Sequence, residues 1–70
     1  MPRDDLCPIS KRNLEVINWL SHGKSAAETA EIMGISRFTV HRHIRTAMDR
    51  LGTSKAVSVV ARALREGWIQ

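Results

Sequence analysis

A single cysteine, Cys7, leaves no partner for an internal disulfide and no cysteine pair from which to build a zinc site. A lone thiol near a terminus reads as a spectator and fits a reducing cytoplasm, so a cytoplasmic setting is expected. Only two prolines occur, Pro2 and Pro8, so nothing beyond residue 8 breaks a helix from within. No apolar run approaches a membrane span, and the N-terminus MPRDDLCP lacks a signal-peptide core. Repeats, low-complexity tracts and strand-type alternation are also missing. The carboxylates, hydroxyls and thiol are scattered over short segments, with no Gly-rich phosphate loop and no triad spacing. These gaps remove enzyme, cofactor, metal, small-molecule and membrane roles from the expectation and leave an all-α chain.

Seventy residues make one small domain. Such a chain buries only about 60% of its unfolded surface, so modest stability is expected. The formal net charge of +4 makes a polyanion such as nucleic acid a plausible partner. Residues 1–8 read as an arm, either a native start or the stub of a linker, because two adjacent aspartates and both prolines fall there without periodicity. Residues 9–70 form the domain.

Ser10 is a helix N-cap with Ile9 before it as a staple candidate, and the helix runs from Lys11 to about Ser21. Val16, Ile17 and Leu20 mark its buried stripe, Leu14 and Trp19 its edges. His22-Gly23 closes it. Ser25-Ala26-Ala27-Glu28 is a capping box opening a short helix to about Met33, with Ala30, Met33 and Ala26 toward the core. Thr29 places a hydroxyl where an aliphatic side chain would pack better, and that hydroxyl is expected to bond back to a carbonyl one turn earlier. Gly34 permits a sharp turn and Ile35 plugs the space between the helices. Ser36 caps the next helix, which Gly52 ends. Thr53 or Ser54 caps the last helix, from about Lys55 to Glu66, stopped by Gly67. Val59, Val60, Ala63 and Leu64 suit the core, Ala56, Val57 and Ala61 lie on another flank, and Trp68 and Ile69 fold back over the core.

The stretch 36–51, SRFTVHRHIRTAMDRL, carries the functional signal. At about 100° per residue, Val40, Ile44, Ala47, Met48 and Leu51 gather into one apolar arc. The opposite arc carries Phe38, His41, Arg42, Arg45 and Thr46, with Asp49 further along. A basic arc on an isolated helix is ordinarily a solvated face. Here a short helix and a tight turn precede it, and that pair presents a helix to the DNA major groove. His41, Arg42 and Arg45 are therefore base-reading candidates, since arginine can donate two hydrogen bonds to guanine O6 and N7. Lys24 and the amides near Ser25 would meet phosphate, and Ser36, Arg37 and Thr39 would do the same at the second helix start. Arg50 and Lys55 are further phosphate candidates, ahead of Arg62 and Arg65. Phe38 would pack on sugar or a thymine methyl, or serve as a rim residue. His41 and His43 point about 200° apart and cannot share a metal ion, so His43 reads as a packing residue at the core edge.

The chain resembles a LuxR-type (GerE-like) helix-turn-helix domain. The resemblance spans Ile9 to Ile69 and rests on ISKR at 9–12, EVI at 15–17 and GKSAAE at 23–28. It continues with GISRFTVHRHI at 34–44, RLG at 50–52 and ALREGWI at 63–69. The GKS run and the first-helix Trp are most similar to the acyl-homoserine-lactone quorum-sensing branch. The resemblance implies a four-helix domain that binds double-stranded DNA as a homodimer and regulates transcription, with RNA polymerase as a further candidate partner. It places the base-reading positions on His41, Arg42 and Arg45, and the dimer contact of the fourth helix on Val57 and Ala61. Three positions depart from the family pattern: Asn13 stands for a usual Glu, Thr29 for Ile, and Ala56 for a phosphate-touching Arg or Lys that Lys55 could replace. A rival expectation is a stand-alone interaction module that inhibits a full-length regulator through its last helix. An RNA-binding module is disfavoured, because A-form major grooves are too narrow for this helix.

Overall fold

Ser10, Ser25 and Ser36 each turn the chain into a helix. In the computed structural model, which describes residues 7–70, all three sit in extended backbone. Their hydroxyls accept the backbone N–H of Asn13, Glu28 and Thr39 respectively. The helices they start are α1 (Lys11–Ser21), α2 (Ala26–Met33) and α3 (Arg37–Leu51), and α4 (Ala56–Arg65) completes the domain. Of the arm expected over residues 1–8, positions 1–6 lie outside the described residues. The architecture is the expected all-α, four-helix arrangement.

Each helix ends with the same backbone device, an amide that reaches back five residues. These bonds are Lys24 N–H to the Trp19 carbonyl, Ile35 to Ala30, Thr53 to Met48 and Trp68 to Ala63, at 2.9–3.1 Å. The start of α4 differs from expectation. Lys55 occupies the N-cap position and supplies no side-chain bond. Neither Thr53 nor Ser54 caps the helix, because the Thr53 hydroxyl accepts the Lys55 N–H at 3.2 Å, one step too early to reach the first turn.

α3 is the hub, packing against α1, α2 and α4. Val40 and Ala47 are wholly buried and Ile44 nearly so. They meet Val16 and Ile17 from α1, Ala30 from α2, and Val59 and Ala63 from α4. Ile9, ahead of α1, and Ile69, after α4, join this core, with Trp68 packed against it. Leu64 is the exception among the expected core positions, being 48% exposed. It lies about 100° round the helix from Ala63, and so shares the outer flank of α4 with Val57 and Ala61.

Two polar side chains enter the core. Asn13 is 6% exposed and Thr29 is fully buried. The expected back-bond of Thr29 is not made, and its Oγ1 has no hydrogen-bond partner. The carbonyl one turn earlier, that of Ser25, accepts the Thr29 amide instead at 2.8 Å. An unsatisfied buried hydroxyl costs about 1–3 kcal/mol. Thr29→Val keeps the shape and removes the hydroxyl, so it should stabilise the domain by about 1 kcal/mol, a rise in Tm of roughly 4–8 °C in thermal melts. A lower Tm would show that the hydroxyl is satisfied in solution.

Candidate nucleic-acid interface

Three residues join α2 to α3. Gly34 adopts a left-handed conformation, φ 69° and ψ 34°, that L side chains rarely take. The half-buried Ile35 then packs on the core, and Ser36 starts α3. The turn is short because its three residues divide reversal, anchoring and capping between them, one each.

With Val40, Ile44 and Ala47 held inward, the opposite arc of α3 must face out. His41, Arg42 and Arg45 are all exposed, and Phe38 is 74% exposed. These four side chains line one open depression of about 200 Å³. Among the described residues no carboxylate pairs with Arg37, Arg42 or Arg45, the ion pairs being Arg12–Glu15 at 2.8 Å and Arg62–Glu66 at 3.3 Å. The exposed face of α3 thus keeps its positive charge. Arg62 is further engaged over the Trp68 ring at 5.6 Å, which leaves it a structural role on α4.

The expected phosphate-contacting residues fall into two groups. Arg37 and Thr39 lie in the first turn of α3 beside Ser36, whose hydroxyl is 3.0 Å from the Thr39 hydroxyl. Lys24, Ser25 and Lys55 are exposed at the starts of α2 and α4. The amide of Ser25, however, donates to the Glu28 carboxylate at 2.8 Å, and its hydroxyl accepts the Glu28 N–H. That bond holds the Glu28 carboxyl below its ordinary range and occupies one of the donors expected to meet an anion. Arg50 donates through Nη1 to the Pro8 carbonyl at 2.9 Å. Val57 is 70% exposed and Ala61 is exposed, so both remain on the surface of α4.

His43 takes no part in the outward arc. Its Nδ1–H donates to Oδ1 of buried Asn13 at 2.6 Å, tying α3 to α1 across thirty positions of sequence. The imidazoles of His41 and His43 therefore face different surroundings, one in the depression and one against α1. Sequence reasoning places His43 correctly at the core edge but misses Asn13, which it sees only as the lack of a family glutamate. The usable signal is a polar side chain at position 13, one turn before the buried Val16 and Ile17. Desolvation lowers the His43 pKa below its ordinary 6.5, and the charges of Arg12 and Arg42 add to this against the opposing charge of Glu15.

A family model for bacterial regulatory proteins of the luxR family, GerE, matches residues 8–63. Similar curated proteins include the transcriptional activator protein BjaR1 of Bradyrhizobium diazoefficiens, 42% identical over 57 residues, which is 81% of this chain and 24% of that protein. The transcriptional activator protein AnoR of Acinetobacter nosocomialis is 32% identical over 59 residues, covering 84% of this chain and 25% of that protein. The HTH-type quorum sensing-dependent transcriptional regulator VjbR of Brucella melitensis is 36% identical over 61 residues, covering 87% of this chain and 24% of that protein. The chain thus spans about a quarter of the length of the curated relatives it matches.

The Asn13–His43 contact has a pH signature. The folded imidazole has a lowered pKa, so on acidification the unfolded chain takes up a proton first. The His43 contribution to stability is complete above pH 6.5 and is lost as the pH falls through the folded value. Chemical denaturation between about pH 7.5 and about pH 5.5 should show declining stability, and His43→Gln should flatten that decline. Asn13→Ala leaves the half-buried His43 Nδ1–H without its partner and should cost about 1 kcal/mol at neutral pH. A decline of the same size in His43→Gln would assign it to another group.

Proposed function

Since this chain belongs to the luxR family of bacterial regulatory proteins, we propose that it binds double-stranded DNA sequence-specifically, in the service of transcription regulation, with α3 in the major groove. The observation that carries this reading is the unpaired basic arc of α3, presented outward by a helix and a three-residue turn. In this reading His41, Arg42 and Arg45 read base edges. Lys24, Ser25, Ser36, Arg37, Thr39, Arg50 and Lys55 hold the flanking phosphates and set the register. Ser25 contributes least of these, since Glu28 already occupies its amide.

A second copy of the chain would pack on α4 through Val57 and Ala61, with exposed Leu64 extending the same apolar strip. Two copies related by a twofold axis call for a pseudo-palindromic operator with half-sites about one helical turn apart. The similarity to a quorum sensing-dependent regulator supports placing the domain as the DNA-binding output of a quorum-sensing protein.

The same exposed strip on α4 favours one alternative, a module that binds a full-length regulator and blocks its dimerisation. Gel-shift titration of the domain, with and without a full-length relative, separates the two. Inhibition of the relative without any intrinsic DNA binding would favour the alternative.

For DNA reading, Arg42→Ala and Arg45→Ala should each relax preference at one base-pair position by about 1–3 kcal/mol in a binding-site selection. Lys24→Ala should weaken all sequences alike and flatten the salt dependence of affinity. An Arg45→Ala variant with unchanged sequence preference would remove Arg45 from the base-reading set.

A further inference from the structure

Phe38 is the most exposed of the large hydrophobic side chains described, at 74%, against 70% for Val57, 48% for Leu64 and 46% for Ile32. A single exposed apolar residue is ordinary on a protein surface. The surroundings of Phe38 are not. Among the described residues its ring shares one open depression with His41, Arg42 and Arg45 alone. The spacing 38, 41, 42, 45 puts all four side chains on one stripe of α3. Phe38 is the second residue of that helix, in the half that a helix-turn-helix protein inserts toward the bases.

We propose that Phe38 determines specificity by packing on the 5-methyl group of a thymine within about two base pairs of the base read by Arg42. This rests on the reading of α3 as a major-groove helix. The argument is one of complementary chemistry. A phenyl ring offers no hydrogen bond to a phosphate, so a phosphate cannot be its principal partner. Within the major groove the thymine methyl is the one apolar group that a base edge presents. Arg42, one turn further along the same stripe, supplies the paired donors that suit guanine. One turn of helix advances about 5.4 Å, and one base pair advances about 3.4 Å. The thymine should therefore fall within about two base pairs of the Arg42 position, once in each half-site.

Uracil tests this directly, because it pairs and hydrogen-bonds as thymine does but lacks the methyl. A binding-site selection with the full chain yields the preferred duplex, and Arg42→Ala marks the base pair that Arg42 reads. Duplexes are then made with each thymine replaced in turn by uracil, and affinities are measured by titration. One thymine per half-site, within about two base pairs of the marked position, should lose about fourfold in affinity on replacement, the effect of burying one methyl group. Phe38→Ala should bind the thymine and uracil duplexes equally, and Phe38→Leu should retain part of the difference. Circular dichroism should show both variants folded, as expected for so exposed a side chain. Equal binding of thymine and uracil duplexes by the unaltered chain would overturn the proposal while leaving α3 as the reading helix. A thymine preference that persists in Phe38→Ala would do the same and assign the ring to sugar packing. Failure to select any duplex would overturn the major-groove reading itself, and this proposal with it.

Discussion

Burial of Val40, Ile44 and Ala47 against three other helices fixes the rotation of α3 about its own axis. For this helix of 15 residues, that burial is the main determinant of which arc faces outward. Once those three side chains are inside, the arc opposite them is committed to solvent by the helical period. The positions of His41, Arg42 and Arg45 are thus a consequence of packing on the far side of the same helix. The apolar contacts supply the bulk of the stabilisation, and the outward bases cost little because they remain hydrated.

Two polar groups modify this core in opposite ways. Asn13 and His43 satisfy each other across α1 and α3, and their bond adds direction to a contact that apolar packing alone would leave free to slide. The Thr29 hydroxyl is buried without a hydrogen-bond partner among the described residues, and so opposes folding. A small domain that buries limited apolar surface is sensitive to both terms, since each is comparable to a sizeable fraction of its net stability.

Local signals made most of the architecture legible. Ser10, Ser25 and Ser36 are capping residues whose effect extends only three positions, so the starts of α1, α2 and α3 could be read directly. The start of α4 could not, because Thr53, Ser54 and Lys55 are adjacent candidates and the choice depends on where the Thr53 hydroxyl turns. Leu64 sits at the border of an amphipathic stripe, where periodicity alone does not decide between core and surface. The Asn13–His43 contact joins residues thirty apart, and no local pattern encodes such a partner. The outward arc of α3 was legible because a 3.6-residue period separates its bases from its apolar residues. The grouping of Phe38 with those bases around one depression needed the three-dimensional arrangement.

The bond from Arg50 to the Pro8 carbonyl brings the entering chain beside the C-terminal end of α3. Phe38 lies twelve positions earlier, roughly 18 Å away along the helix axis. Pro8 is thus held at the trailing end of this rod, at the end opposite the turn that presents the basic arc. A pull on Pro8 would load the buried Ile9 and the rear of α3 together, most of the helix length away from Phe38.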